Sequence, residues 1–151
     1  QITAAEQWAS ACQRVEWPVE RLGEFSRRFF GGDRLDHELL AYIRGLRPAY
    51  KTGLISNGMS GTRAMIEGPW RMAPLFDTVV ISGETGIMKP DPRIYLIALQ
   101  QLEVQPEQAV FIDDFAHNIA GAEAIGMRGI HFRDTPQALA DLSALLDGSG
   151  V

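Results

Sequence analysis

The spacing of apolar residues divides the chain into two parts with different patterns. Up to residue 46, apolar positions recur at helical spacing, which predicts helices within 2–15, 18–30 and 36–46. After Pro48, short apolar runs of strand length alternate with amphipathic stretches. The predicted strands are 51–56, 78–82, 109–113 and 128–132, and the predicted helices are 61–67, 91–101, 118–125 and 135–147.

The alternation of strands and helices predicts an α/β domain. Its strands are apolar throughout, as expected of a parallel sheet that helices cover on both faces. Asp91 before Pro92 predicts the start of one helix, and Thr135 before Pro136 predicts the start of the last. We therefore expect a Rossmann-like core over 47–151, preceded by a helical segment over 1–46 that contains no predicted strand.

Composition narrows the classes of function. A length of 151 residues suits one domain with a small appendage. The net charge of -5 gives no basic surface for nucleic acid or anionic membrane, and no apolar run approaches the length of a membrane span. Cys12 is the one cysteine, so no internal disulfide can form, and we expect a cytoplasmic protein.

Polar residues with phosphate-binding chemistry follow the first two predicted strands. Ser56, Asn57 and Gly58 come after the first strand, where a hydroxyl and exposed backbone N–H groups at a helix entrance suit a phosphate oxygen. A plain helix N-cap is the alternative. Lys89 follows the second strand in a glycine-punctuated loop and precedes Pro90, which favours an extended conformation. It would offer an ammonium to an anion, with a solvated surface lysine as the alternative.

Two adjacent carboxylates end the third predicted strand. Asp113 and Asp114 repel each other and lose solvation there, and a hard cation such as Mg2+ would relieve both costs. A helix-capping aspartate beside a solvent-facing one is the alternative. The carboxyl ends of parallel strands share one edge of the sheet. We therefore expect the hydroxyl, the lysine and the acid pair in one crevice, which is the equipment for phosphoryl transfer.

Three segments resemble the second, third and fourth motifs of the haloacid dehalogenase superfamily. They are LISNG (54–58), GIMKPDPRIY (86–95) and FIDDFAHNIAGAEAIG (111–126). The resemblance runs from about residue 51 to residue 132, and the helical front is similar to part of the superfamily's C1-type cap. The chain is similar to the branch that contains glucose-1-phosphate phosphatase and the phosphatase domain of soluble epoxide hydrolases.

For the phosphate, the resemblance implies a hydrolase that acts on a small phosphorylated metabolite. It implies that Ser56 binds the transferring phosphoryl group through its hydroxyl, with Asn57 and Gly58 beside it. It also implies that Lys89 neutralises the charge of the phosphoryl group and of the nucleophile. Ser56 and Lys89 are therefore the expected catalytic residues of this chain.

For the cofactor, the resemblance implies Mg2+. It implies that Asp114 is the direct ligand, that Asp113 ligates through water or orients the site, and that Asn118 supports both from a second layer. The 2-haloacid dehalogenases of the superfamily need no metal and lack such an acid pair. The presence of the pair therefore favours a phosphatase.

The superfamily's first motif has no counterpart in the sequence. That motif is a strand ending in Asp-x-Asp, which supplies the nucleophile and the general acid/base; Asp33 and Asp36 have the wrong spacing. We expect an N-terminal truncation that leaves the strands flanking a gap. A homo-oligomer or a strand supplied in trans would then complete the sheet. We also expect weak Mg2+ binding and little or no phosphatase activity from these residues alone.

Other classes of protein account for the same residues. A non-catalytic fragment that keeps the fold as a binding or assembly module is the alternative to an enzyme, and an upstream Asp-x-Asp would distinguish the two. A response-regulator receiver also uses an acid pair, a hydroxyl and a lysine, but its acid pair lies on the first strand. A dinucleotide-binding domain is disfavoured because no G-x-G-x-x-G follows a strand.

Overall fold

The computed structural model describes residues 35–59 and 61–148. The helices predicted within 2–15 and 18–30, and Cys12, lie outside the described residues. Strands and helices alternate, as the sequence predicts. The helices are α1 (His37–Leu46), α2 (Thr62–Glu67), α3 (Ser82–Thr85), α4 (Pro92–Leu102), α5 (Ala116–Glu123) and α6 (Thr135–Gly148); the strands are β1 (Gly53–Ser56), β2 (Thr78–Ile81), β3 (Val110–Asp113) and β4 (Arg128–His131).

The strands form two separate parallel pairs. β1 pairs with β2, with Gly53 opposite Thr78 and Ser56 opposite Ile81. β3 pairs with β4 in the same sense, ending with Asp113 opposite His131. Within 35–59 and 61–148, no ladder joins β1 to β3. The described sheet therefore consists of two halves with an interruption between them.

The helix starts confirm one predicted cap and correct two others. The Asp91 carboxylate accepts a hydrogen bond from the Arg93 N–H at the start of α4, as predicted. For α6, the cap is Asp134 instead of Thr135, because the Asp134 carboxylate accepts from the Gln137 N–H. The Thr135 hydroxyl instead bonds the Asp36 carboxylate, which also caps α1.

The second correction concerns the segment that follows β1. Ser56 and Asn57 were expected at a helix entrance, but α2 begins only at Thr62 and Gly61 is its N-cap residue. The segment after β2 was expected to be a loop, and it instead begins with the short helix α3, which ends at Thr85 and has Gly86, with φ of 71°, as its C-cap residue. Glycine adopts this left-handed conformation without the steric cost that other residues bear.

One apolar core extends across the interruption in the sheet. α4 packs on β1 and β2, and its Tyr95 meets Phe111 of β3 edge to face, with 5.1 Å between the ring centroids. Burying such side chains is the main favourable contribution to folding, roughly 1.5–3 kcal/mol for each large one. The buried members of this core are Val80, Ile94, Tyr95, Ala98, Leu99, Phe111, Ile119, Ala122 and Met127.

The first and last described helices pack against each other. The Tyr42 hydroxyl of α1 lies 2.9 Å from the Ser143 hydroxyl of α6, and the Asp36–Thr135 bond joins the same two helices at their N-terminal ends. α6 also packs on β4. In the described part of the chain, no helix combines the length and apolar character needed to cross a membrane.

Candidate active site

The candidate residues collect where the parallel strands end. Ser56 is the last residue of β1, Asp113 is the last residue of β3, and Lys89 lies between α3 and α4. In open parallel sheets this edge is where ligands bind. The predicted crevice is therefore tested directly by the contacts between these residues.

Lys89 joins the two halves of the sheet. Its Nζ donates to Asp113 Oδ2 at 2.6 Å and to the Ile55 carbonyl of β1 at 3.0 Å. The Lys89 and Asp113 side chains are 11% and 6% exposed, so this ion pair is shielded from water. The Phe111 ring lies 5.5 Å from the ammonium. An ammonium has three N–H groups, and these contacts leave one for an anion.

Asn57 holds the backbone of the same lysine. Its Oδ1 accepts from the Lys89 N–H at 2.8 Å, and its Nδ2 donates to the Lys89 carbonyl at 3.0 Å. Both ends of Lys89 are therefore fixed, the backbone by Asn57 and the ammonium by Ile55 and Asp113. The structure brings Asn57, Lys89 and Asp113 together, as the sequence predicts.

Asp113 is held in its ionised form. Its Oδ1 accepts from the Phe115 N–H and from Asn118 Nδ2, both at 2.9 Å. Burial on its own raises the pKa of Asp113, but the hydrogen bonds from Lys89, Asn118 and Phe115 and the charge of Lys89 together lower it below the ordinary value of 3.8. A buried carboxylate near neutral pH is thus matched by an adjacent cation.

Asp114 presents the opposite situation. It is exposed, and within the described residues its carboxylate has neither an ion pair nor a hydrogen bond. Its main-chain carbonyl lies 3.0 Å from Nε2 of His131, the last residue of β4. Asp114 is therefore positioned through its backbone while its carboxylate is available to a ligand.

Asn118 adds a buried acceptor beside the acid pair. The residue is 3% exposed, and its Oδ1 has no hydrogen-bond partner. A buried acceptor without a donor is rare and calls for a specific explanation. An ordered water or a water bound to a cation would supply the donor.

These oxygen atoms can be compared with what Mg2+ requires. Among the described residues, no group of three or more His, Cys, Asp or Glu side chains could hold a metal ion. Mg2+ is usually held by one or two carboxylates and keeps several waters, so a larger cluster is not needed. The free Asp114 carboxylate and the unpaired Asn118 oxygen fit such an ion.

Ser56 and Gly58 complete the segment after β1. Ser56 is half-buried, and within the described residues its hydroxyl has no hydrogen-bond partner. The Gly58 carbonyl accepts from the Ser82 hydroxyl at 3.0 Å and from the Gly83 N–H at 2.9 Å, which ties the ends of β1 and β2 together. A Cβ on Gly58 would collide with the Thr62 side chain, so a larger residue would force that side chain to move.

Two residues in this region were missed by reasoning from the sequence. Tyr95 is fully buried and donates to the Asn118 carbonyl at 2.8 Å, and burial followed by the charge of Asp113 raises its pKa to about 12. His131 contacts the Asp114 carbonyl. For His131, its place at the end of β4 was the available signal. For Tyr95, the need of a buried hydroxyl for a partner was the available signal.

Two relatives share much of this sequence. (S)-2-haloacid dehalogenase 1 from Pseudomonas sp. (strain CBS-3) is 30% identical over 138 residues, which cover 83% of this chain and 60% of that protein. The phosphoserine phosphatase of Thermus thermophilus is 34% identical over 117 residues, which cover 74% of this chain and 47% of that protein. The chain thus spans less than two thirds of the length of either relative.

Solved structures share the fold. A HAD-like (haloacid dehalogenase-like) family hydrolase from Porphyromonas gingivalis matches 95% of this chain and 73% of its own, with a TM-score of 0.78 and 23% identity. A HAD family enzyme from Bacteroides thetaiotaomicron, in complex with magnesium and inorganic phosphate, matches 78% of this chain and 73% of its own, with a TM-score of 0.58 and 21% identity.

The family assignment follows from the extent of the sequence match. A family model described as a haloacid dehalogenase-like hydrolase covers residues 4–126, which is most of the chain and includes all three segments at the strand ends. Together with the Rossmann-like arrangement of parallel strands and helices, this match shows that the chain belongs to the haloacid dehalogenase-like hydrolase family.

Proposed function

We propose that this chain carries the phosphate-binding and Mg2+-binding residues of a phosphomonoester phosphatase. One observation carries the proposal: Lys89, which follows β2, contacts Asp113 at the end of β3 with 2.6 Å between Nζ and Oδ2. This contact places a shielded cation beside an acid pair. Phosphoryl transfer needs this combination, because positioning and charge neutralisation supply most of its catalysis.

The phosphate would bind on the β1 side of the site. The unpaired Ser56 hydroxyl would donate to one phosphoryl oxygen, and the remaining N–H of Lys89 would donate to another. Because Lys89 is held at both ends, the ammonium would not need to reorganise when charge develops in the transition state. Backbone N–H groups of Asn57 and Gly58 would line the same position.

The metal would bind on the β3 side. Bound Mg2+ would neutralise charge on the phosphoryl oxygens. Asp114 would be its direct ligand, because both oxygens of Asp113 already accept hydrogen bonds. Asp113 would instead keep Lys89 and Asn118 in place. Asn118 Oδ1 would accept a hydrogen bond from a metal-bound water.

The nucleophile is not identified among these residues. The sequence contains no Asp-x-Asp, so we propose that the 151 residues bind phosphate and Mg2+ but turn over a phosphomonoester slowly or not at all. Robust, EDTA-sensitive hydrolysis of an aryl phosphate by the purified chain would contradict this part of the proposal.

The relatives support a phosphatase but include a dehalogenase. The phosphoserine phosphatase of Thermus thermophilus and the magnesium–phosphate complex from Bacteroides thetaiotaomicron favour phosphate chemistry. The haloacid dehalogenase relative leaves dehalogenation as a competing activity. The Asp113–Asp114 pair favours the phosphatase, because carboxylates at a strand end are the kind of oxygen ligand that Mg2+ takes.

Isothermal titration calorimetry tests both halves of the site separately. We expect Lys89→Met to weaken the binding of inorganic phosphate, and Lys51→Met to leave it unchanged, since Lys51 bonds the Leu102 carbonyl far along α4. We expect Asp114→Asn to weaken Mg2+ binding, with Asp147→Asn in α6 as its control. Equal effects of site and control variants would contradict the proposal.

A second candidate function is that of a binding or assembly module without catalysis. The interruption between β1 and β3 is the observation that favours it. Residues of a strand point their backbone groups alternately to its two sides. The Ile55 carbonyl accepts from Lys89 in the interruption. The Ala109 and Asp113 carbonyls instead accept from the N–H groups of Arg128 in β4 and of Phe132 directly after it. Gly53, Val110 and Ile112, together with the Ile55 N–H, would therefore present their backbone groups to an additional strand.

Light scattering coupled to size-exclusion chromatography tests the module. If a second copy of the chain completes the sheet, we expect a dimer that dissociates on dilution. A monomer that binds phosphate and Mg2+ at all concentrations would favour the phosphatase site over the assembly module.

A further inference from the structure

The Asn57 side chain bonds the Lys89 backbone with both of its polar atoms. We propose that this side chain is a positioning group that acts on the phosphate only through Lys89. This inference rests on the proposed phosphate site. It concerns how one side of that site is built and which residue sets the direction of its cation.

The hydrogen bonds of the Asn57 amide are the first argument. Its acceptor and its donor are both directed to a single residue, the N–H and the carbonyl of Lys89, at 2.8 and 3.0 Å. This reciprocal pair is the exchange that two residues make in a sheet ladder. An amide committed in this way already has a partner for each of its two polar atoms.

The position of Lys89 in its turn is the second argument. The Asp91 N–H donates to the Met88 carbonyl at 2.9 Å, which closes a turn around Lys89 and Pro90. Within 35–59 and 61–148, the Asn57 side chain makes the hydrogen bonds to the Lys89 backbone that tie this turn to the β1 segment. Removing the amide would release the backbone of Lys89 from that segment.

The Lys89 side chain is flexible and needs to be held at both ends. A lysine ammonium is a compact charge on a flexible four-carbon stem, so its direction depends on what holds the backbone at one end and the charge at the other. Ile55 and Asp113 hold the charge, and Asn57 holds the backbone. Without Asn57, the direction of the third N–H would depend on the Ile55 and Asp113 contacts alone.

A double-mutant cycle on phosphate affinity distinguishes positioning from direct contact. Asn57→Ala, Lys89→Met and the double variant are titrated with inorganic phosphate in the presence of Mg2+. We expect Asn57→Ala alone to weaken binding about tenfold, within the coupling range for residues in one hydrogen-bond network. In the Lys89→Met background the same substitution should have no further effect. Additive losses would overturn the inference, because they would show an independent contact between Asn57 and phosphate.

Amide hydrogen exchange provides a readout that does not depend on phosphate binding or on the stability of Lys89→Met. We expect Asn57→Ala to speed exchange of the Lys89 amide about tenfold or more while distant amides keep their rates. Gln108→Ala is the matched control, because Gln108 Oε1 accepts from the Gln105 N–H away from the site. It should speed exchange at Gln105 and leave Lys89 and phosphate affinity unchanged.

The two measurements separate failure of the inference from failure of the proposed function. A wild-type chain that does not bind phosphate would contradict the proposed site, and the exchange rate of the Lys89 amide would still decide whether Asn57 holds it. An unchanged exchange rate at Lys89 in Asn57→Ala would overturn the positioning role, whatever the affinity for phosphate.

Discussion

The two halves of the sheet contribute opposite chemistry to one site. The β1–β2 half and the turn that follows it offer donors, namely the Ser56 hydroxyl and the Lys89 ammonium. The β3–β4 half offers acceptors, namely Asp113, Asp114 and the unpaired oxygen of Asn118. The Lys89–Asp113 ion pair is the side-chain contact where the two sets meet. Neither half contains both a phosphate-binding cation and an acid pair.

This difference explains how the site depends on tertiary packing. No backbone ladder joins β1 to β3 within the described residues, so the distance between donors and acceptors depends on side chains. Lys89 spans the interruption directly, and α4 spans it through the apolar core. Substitutions at these links should therefore affect the site more than substitutions within either half.

The largest effect is expected from breaking the ion pair between the halves. Lys89→Met leaves the Asp113 carboxylate buried without its cation and should lower the free energy of unfolding by about 3 kcal/mol. Urea denaturation followed by circular dichroism measures the change. Adding Asp113→Asn to Lys89→Met should recover much of the loss, since no unpaired charge then remains. A loss below about 0.5 kcal/mol for Lys89→Met would show that the pair does not join the halves.

A smaller effect is expected where α5 meets the lysine turn. A Cβ on Gly121 would lie 2.7 Å from the Pro90 carbonyl oxygen and 3.2 Å from the Tyr95 hydroxyl oxygen. Gly121→Ala should therefore cost about 1–3 kcal/mol by overpacking and should weaken phosphate binding by moving Lys89. In α1, a Cβ on Gly45 meets nothing within 4 Å. Gly45→Ala should stabilise the protein by up to about 1 kcal/mol and leave phosphate binding unchanged.

The buried hydroxyl beneath the acid pair should contribute less. Tyr95→Phe keeps the ring contact with Phe111 and removes the hydrogen bond to the Asn118 carbonyl, which should cost about 1 kcal/mol. Thermal unfolding compared with wild type measures this loss. A change near zero would mean that Asn118 is held by Asp113 and α5 alone.

The smallest effect is expected from acid titration within the β1–β2 half. The hydrogen bond from the Thr52 N–H and, after it, the charge of Arg47 lower the pKa of Asp77 below its ordinary value of 3.8. They outweigh the partial burial of Asp77, which raises this pKa. A carboxyl group whose pKa is lower in the folded than in the unfolded state stabilises the protein at pH values above the unfolded pKa. This stabilisation is lost as the pH falls through the folded pKa. Asp77→Asn should thus reduce stability near neutral pH and flatten the fall in stability below about pH 4. An unchanged slope in denaturation from pH 5 to pH 2 would contradict this expectation.

Much of the candidate site was predictable because its residues lie at strand ends. Short apolar runs located the strands, and parallel strands bring their carboxyl ends to one edge of the sheet. Lys89, Asp113 and Asn57 were therefore expected together, and the structure places them in contact. His131, the last residue of β4, lies at the same edge and contacts the Asp114 carbonyl. Thr135 was misassigned as a cap because Asp134 competes for the same helix N-terminus.

The order of residues along the chain determined the strands, the helices between them and the types of side chain at the strand ends, since these follow from local periodicity and turn chemistry. Tertiary structure alone decided which partner each side chain takes. The Asn57 amide turns to the Lys89 backbone, Asp113 pairs with Lys89, and Asp114 keeps its carboxylate free. These choices depend on distances between segments far apart in sequence, which helix packing across the divided sheet sets.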